Sequence, residues 1–297
     1  LDATDEPVSR VLRVAQSKFA VGAYALQTTP AIELESVALS VAAPKVGDSI
    51  VATVTPEGAT CDYQWYRVDE EGTATAISGA TSATYTVGLA DVNYTLRVVA
   101  TGNGDYAGSV SVSTAKIPAP MVVVVEEATE DALFKAVNVV ADGGMIFFAN
   151  SLAGSTITLT GTRITLDKNV TIDAGDLNIT IDANKQSRIF YVDEDCEVAI
   201  GGLTLTGGYG DEGFGGAIYN LGSLTITNVT FIENYGAEGG AIANAGACTI
   251  TNSTFTGNSA LNYGGAIINY DWCVCTITNS IFTGNSAERS GGGIENY

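Results

Sequence analysis

One phrase recurs four times toward the end of this 297-residue chain: Gly215-Gly216-Ala217-Ile218, Gly239-Gly240-Ala241-Ile242, Gly264-Gly265-Ala266-Ile267 and Gly291-Gly292-Gly293-Ile294, at intervals of 24, 25 and 27 residues. A second phrase runs between the copies as Phe231-x-x-Asn234, Phe255-x-x-Asn258 and Phe282-x-x-Asn285. Self-similarity at this period, rich in Thr, Ile and Asn and without helical periodicity, marks a solenoid. No single unit can bury its apolar side alone, so each must stack on its neighbours.

Alignment of the copies shows which positions face inward. Leu224-Thr225-Ile226-Thr227-Asn228, Cys248-Thr249-Ile250-Thr251-Asn252 and Cys275-Thr276-Ile277-Thr278-Asn279 superpose, and Leu203-Thr204-Leu205-Thr206 reads as an earlier copy. Strand alternation points Leu224, Cys248 and Cys275, and likewise Ile226, Ile250 and Ile277, into the coil and the threonines out. Neighbouring strands about 4.8 Å apart suit like-on-like columns. The expected columns are an aromatic stack of Phe231, Phe255 and Phe282 and an aliphatic one of Ile218, Ile242, Ile267 and Ile294. Asn228, Asn252 and Asn279, with Asn234, Asn258 and Asn285, fall where strands bend. There asparagine tolerates left-handed backbone and its amide can bond to the copies above and below. The span Thr129 to Val140 reads as an amphipathic helix able to cover the first coil.

These phrases resemble those of the chlamydial polymorphic outer membrane proteins and of related repeat proteins in other bacterial envelopes. The resemblance covers about residues 121 to 297 and is clearest from Gly215 onward. It implies a right-handed parallel β-helix, secretion, surface display and adhesion. The chain departs from an autotransporter in showing no C-terminal barrel, so that export route is not implied.

Upstream the pattern changes. Residues 4 to 21 carry helix signals, and 23 to 33 read as a linker. From about Glu35 to Ile117, period-2 runs alternate with turn residues, as in a β-sandwich. The segment resembles the immunoglobulin-like modules of bacterial surface proteins: Gln64-Trp65-Tyr66 fits the strand bearing a buried tryptophan, and Leu89-x-Asp91 precedes a strand as in those modules. It departs from antibody-type domains in lacking a cysteine pair and a tyrosine-corner residue after Asp91. The expected architecture is all-β: helix and linker over 1–33, an Ig-like β-sandwich over 34–118, and a right-handed parallel β-helix with an N-terminal cap helix over 119–297, continuing beyond the chain end.

Composition excludes several functions. With 13 Lys and Arg against 33 Asp and Glu, the net charge of −20 repels nucleic acid and anionic membrane surfaces. The absence of histidine removes the commonest general base and metal ligand. Five scattered cysteines make no disulfide framework, and Cys273-x-Cys275 lacks the spacing and partners of a metal site. These residues show neither a signal-peptide pattern nor an apolar run of about 18 residues; starting at Leu1 and stopping in mid-repeat, they read as a processed or partial piece of a longer protein. No direct membrane insertion by this segment is expected.

Chemistry on the scaffold is sparse. Carboxylate pairs could come from Asp211 and Glu212 or from Glu233 and Glu238, but the coils lack long cleft-forming loops, and Arg188 and Arg289 are far apart. Solvated acidic corners are the preferred reading, so no catalytic residue is assigned. No cofactor is required; Asp193 and Asp195 are the candidate Ca²⁺ ligands, without the glycine-rich nonapeptide of Ca²⁺-binding β-rolls. The Thr-x-Thr phrases resemble ice-binding arrays, yet threonine is a common strand-surface residue.

One coil is irregular: Ile267 to Phe282 is 15 residues against 13 in the other copies, an insertion around Tyr270-Asp271-Trp272. Insertions in repeats bulge outward, which makes Tyr270 and Trp272 the partner-binding candidates, with Trp272 folding back over the solenoid as the alternative. Asn93, Asn169, Asn178, Asn228 and Asn252 begin Asn-x-Ser/Thr triplets, which accept glycans where exposed in a suitable host; for Asn228 and Asn252 the ladder role is preferred. The expectation is a non-enzymatic extracellular or cell-surface structural or adhesive protein that binds a protein or glycan or assembles with itself. A β-helical carbohydrate-active enzyme, a polysaccharide lyase or hydrolase, is the alternative.

Overall fold

The computed structural model describes residues 30–210 and 213–297. The helix expected over 4–21 lies outside the described residues. The chain divides into two compact units, with the division between Ala119 and Pro120.

The first unit holds two antiparallel sheets. One orders Ser36–Leu39, Ser49–Thr55 and Thr84–Thr86; the other orders Ala74–Ala76, Cys61–Val68, Thr95–Gly102 and Ser109–Lys116. Strict alternation along Ser49–Thr55 turns Ile50, Ala52 and Val54 inward, where they share one core with Trp65, Leu96, Val98 and Ala100 from the second sheet. The Trp65 ring stacks on Tyr85 at 5.3 Å and its Nε1–H donates to the Ser82 carbonyl at 2.9 Å, satisfying the buried indole. Asp91 is fully buried yet receives Arg67 Nε at 2.7 Å, Tyr85 OH at 2.9 Å and the Gly88 N–H at 2.7 Å, which offset its desolvation. Ala74–Ala76 was not foreseen, because three small residues carry no hydrophobic period.

The second unit is a parallel β-solenoid. Its first sheet has seven strands: Val122–Val125, Gly144–Phe148, Val170–Asp173, Glu197–Gly201, Ser223–Thr227, Ala247–Thr251 and Val274–Thr278. A second sheet stacks six, Thr156–Thr158, Ile179–Asp182, Leu203–Thr206, Thr230–Ile232, Thr254–Thr256 and Ile281–Thr283. A third also stacks six, Ile164–Leu166, Phe190–Val192, Ile218–Asn220, Ile242–Asn244, Ile267–Asn269 and Ile294–Asn296. From Tyr235 onward a three-stranded sheet, Tyr235–Glu238, Ser259–Tyr263 and Ser286–Ala287, fills the corner between the second and third.

Register makes the core a set of columns. Val123, Ile146, Ile172, Ile200, Ile226, Ile250 and Ile277 align along the first sheet. Ile157, Ile181, Leu205, Phe231, Phe255 and Phe282 align along the second. The three phenylalanines stack at 4.6 Å between successive rings, close to the strand spacing. This register corrects the reading of Leu203–Thr206 as an earlier copy of Leu224–Thr227: Leu205 lies over Phe231, and the strand preceding Leu224–Thr227 is Val198–Gly201. The error arose because period-2 alternation is identical on every sheet of a coil and does not identify which one.

Asparagines tie the corners. Asn234, Asn258 and Asn285 form a ladder, the first two buried and the third half-buried, Nδ2 to Oδ1 at 3.0 Å at both steps, and the Asn258 amide also reaches the Phe231 carbonyl at 3.1 Å. A second ladder that the sequence reading missed joins Asn220, Asn244, Asn269 and Asn296 at 2.7, 2.7 and 2.8 Å. Its signal was Ile-x-Asn after each glycine pair. Asn228, Asn252 and Asn279 adopt left-handed φ of 56°, 54° and 50° but are exposed. The amide bonding expected of them is corrected: side-chain bonds between coils at this corner come from Ser253 and Ser280, whose hydroxyls accept the N–H groups of Val229 and Ser253.

The two glycines of each pair meet different demands. Gly239 takes φ 70°, whereas a Cβ on Gly240 would lie 2.1 Å from the Gly265 carbonyl oxygen of the next coil. In the first coil, helix α1 (Glu130–Val139) occupies the chain between Val122–Val125 and Gly144–Phe148. Thr129 Oγ1 caps it, accepting the Ala132 N–H at 3.2 Å, and Lys168 donates to its last carbonyls. Leu133, Ala136 and Val137 are buried.

Candidate functional site

Register locates the insertion. Asn244 pairs Asn269 and Ala247 pairs Val274, so the offset grows from 25 to 27 residues within the turn from Tyr270 to Cys273. The Cys273 N–H closes that turn on the Tyr270 carbonyl at 3.1 Å, and Trp272 occupies it at φ 66° with its side chain fully exposed. The two candidates therefore separate. Tyr270 keeps the outward parity of Ile268 and folds onto the third sheet, while Trp272 stands in solvent.

The outer side of the third sheet is aromatic. Tyr191, Tyr219, Ala243, Ile268 and Glu295 are successive register partners there, and Ala243 and Ile268 are wholly buried. Tyr191 meets Tyr219 edge-on at 5.7 Å, and Phe214 stacks on Tyr219 at 5.5 Å and meets Tyr270 at 6.0 Å. Phe214 comes from the loop between Thr206 and Ile218, which Arg188 anchors. Fully buried, Arg188 donates from Nη2 to the Phe214 carbonyl at 2.6 Å and from Nε to the Gly215 carbonyl at 3.0 Å. The guanidinium also lies 5.3 Å from the Tyr219 ring centre, and Arg163 lies 4.7 Å from that of Tyr191. Sequence reasoning reached Tyr270 through the insertion but missed Tyr191, Phe214 and Tyr219, whose common face depends on a register that coils of unequal length conceal.

Electrostatics fix the edge of this face. Tyr270 OH donates to Glu238 Oε2 at 2.7 Å; burial first, and then that bond, push its phenol well above the usual range. The Glu238 main chain pairs with the Phe214 loop, accepting the Gly215 N–H at 2.8 Å and donating to the Gly213 carbonyl at 2.7 Å. Glu233 sits at a separate corner with φ 51°. Asp211 and Glu212 lie outside the described residues. The result is an aromatic surface in which Tyr191, Tyr219 and Tyr270 are half-buried and Phe214 is exposed, with Trp272 exposed in the adjoining turn.

Other expected positions lie elsewhere. Asp193 is half-buried and accepts the Glu194 N–H at 3.0 Å; Asp195 is exposed at φ 61°. Among the described residues no three His, Cys, Asp or Glu side chains converge as a metal site. Three of the four Thr-x-Thr phrases, Thr225 and Thr227, Thr249 and Thr251, and Thr276 and Thr278, align in two outward columns of the first sheet, which narrow at Ala199 and Gly201 into an open depression of about 280 Å³ lined also by Asp173 and Asp176; Thr204 and Thr206 lie instead on the second sheet, which corrects their expected place in one array.

Residues 252–269 and 279–297 match the Chlamydia polymorphic membrane protein repeat. Each match runs from a left-handed corner asparagine through the Phe-x-x-Asn and glycine-pair phrases into a strand of the third sheet. No curated protein matches the chain. Among solved structures, pectate lyase PelI from Erwinia chrysanthemi in complex with tetragalacturonic acid is similar over 89% of this chain and 100% of that chain, at 14% identity and a TM-score of 0.20.

Proposed function

We propose that this chain is a non-enzymatic bacterial cell-surface protein, in which a right-handed β-helix displays the aromatic face around Tyr270 to a protein or glycan partner. The match to the Chlamydia polymorphic membrane protein repeat in two coils carries the surface assignment. In this reading the sandwich unit is an immunoglobulin-like spacer and helix α1 a cap over the first coil. Among the described residues no helix is long and apolar enough to cross a membrane, which leaves the mode of anchoring open to strands or to other segments.

The binding role follows from the side chains. Tyr, Trp and Arg carry much of the energy at protein interfaces, and large rings held by their neighbours lose little entropy on binding. Phe214, Tyr219 and Tyr270 are held in this way, and Trp272 adds a fully exposed indole in the adjoining turn. Catalysis is a poorer fit, because the Glu238 carboxylate is bonded to Tyr270 and Arg188 is turned onto main-chain carbonyls. Adhesion and self-assembly are further roles to be measured on the same surface, and a Ca²⁺ requirement at the separate Asp193 and Asp195 corner.

Protease shaving of intact cells should release peptides of this chain. Beads coated with it should bind partner surfaces, and the combined Phe214→Ala, Tyr270→Ala, Trp272→Ala variant should lose that binding. Full protection from the protease would contradict the surface assignment. Undiminished binding by the triple variant would contradict the aromatic face, and release of reducing or unsaturated sugars would favour an enzyme.

A further inference from the structure

Three of the five Asn-x-Ser/Thr triplets carry an aspartate two places before the asparagine: Asp91-Val92-Asn93-Tyr94-Thr95, Asp167-Lys168-Asn169-Val170-Thr171 and Asp176-Leu177-Asn178-Ile179-Thr180. This is the extended acceptor sequence that acid-requiring bacterial oligosaccharyltransferases recognise, the acidic group supplying a charge contact to the enzyme. The fold separates the three. Asp91 is fully buried, bonded to Arg67 and Tyr85, and cannot be reached. Asn169 is half-buried and its Oδ1 accepts the Glu197 N–H at 2.7 Å, so its carboxamide is engaged. Asp176 and Asn178 are both exposed, on the corner between Val170–Asp173 and Ile179–Asp182, with Asn178 at φ 53°. Thr180 points outward on the second sheet, in register with Thr156 and Thr204. Asn228 and Asn252 are exposed but have isoleucine in the acidic position.

We propose that Asn178 is a glycan acceptor, modified from a polyisoprenyl-pyrophosphate-linked oligosaccharide. The Asn178 carboxamide nitrogen forms a bond to C1 of the first sugar as the C1–O bond to pyrophosphate breaks. The lipid pyrophosphate leaves, and the amide proton passes to a carboxylate of the transferase. The proposal rests on the extracytoplasmic placement given above, which protease shaving tests separately.

The folded full chain is incubated with a purified acid-requiring bacterial oligosaccharyltransferase and a polyisoprenyl-pyrophosphate heptasaccharide, then followed by intact mass and peptide mapping. One glycan on Asn178 is expected. Thr180→Val, which keeps a β-branched residue in the strand, should abolish it, and Asp176→Ala should lower its yield at least tenfold, both with unchanged thermal unfolding. No mass gain overturns the proposal, whether or not a free 174–182 peptide is modified. So does a glycan at Asn93, Asn169, Asn228 or Asn252 in place of Asn178.

Discussion

Replacing Phe255 by Ala removes the middle ring of the stack. Phe255 has no exposed surface, and its ring lies 4.6 Å from Phe231 and 4.6 Å from Phe282, tilted by only 4° and 1°. Burying and then deleting such a side chain costs about 3–5 kcal/mol. Two near-parallel contacts, each adding about 0.5–1.5 kcal/mol beyond area, place this site toward the top of that range, about 4–5 kcal/mol. At about 2–4 °C per kcal/mol for a unit of this size, the midpoint should fall by about 8–20 °C. The damage should stay local, because solenoid stability resides in nearest-neighbour interfaces. Circular dichroism melts give the midpoint. Native-state hydrogen exchange should show lost protection in Thr230–Ile232 and Thr254–Thr256 before Val170–Asp173. Phe255→Leu, which keeps most of the volume but loses both ring contacts, should cost about 1–3 kcal/mol, less than the alanine variant. A melt of Phe255→Ala within about 2 °C of the parent would refute the columnar core.

Asn258→Ala should cost about 3 kcal/mol, since it leaves buried partners of Asn234, Phe231 and Asn285 unpaired, whereas Asn252→Gly should change stability by less than about 0.5 kcal/mol; chemical denaturation compares them. Acrylamide should quench Trp272 freely and leave Trp65 emitting, giving a two-component plot that Trp272→Phe reduces to the protected component. Burial, then the bond to Asp91, raise the Tyr85 phenol from 10.0 to about 12. The unfolded chain ionises first, so this contribution to stability is complete below pH 10, falls as pH rises from 10 toward 12, and disappears from the profile in Tyr85→Phe; denaturation midpoints measured across that window read the slope.

The repeats made the solenoid legible because the coils from Gly215 onward restate the same constraints: an inward Ile, a stacked Phe, a bend asparagine and a glycine pair. The same economy hid which sheet a strand joins. Leu203–Thr206 and Leu224–Thr227 read alike but belong to different sheets. Period locates a side chain on an inner or outer face, while only register places it around the coil. The aromatic face was less legible for that reason. Tyr191 and Tyr219 are 28 residues apart yet directly paired, and Phe214 joins them through a loop of irregular length held by Arg188. Tyr270 was visible because its insertion broke the count, and Trp272 shares that insertion but contributes exposure rather than packing.

The decisive distance runs along that face. Thr165 and Glu295 are the first and last members of the outward column that contains Tyr191 and Tyr219, five strand steps apart. At about 4.8 Å per step their backbones should be about 24 Å apart. Spin labels introduced as unnatural side chains at these two positions, measured by double electron–electron resonance, should give one narrow distribution near that value once label length is included. A broad distribution, or a peak beyond about 40 Å, would contradict in-register stacking and with it the shared face on which the proposed binding role depends.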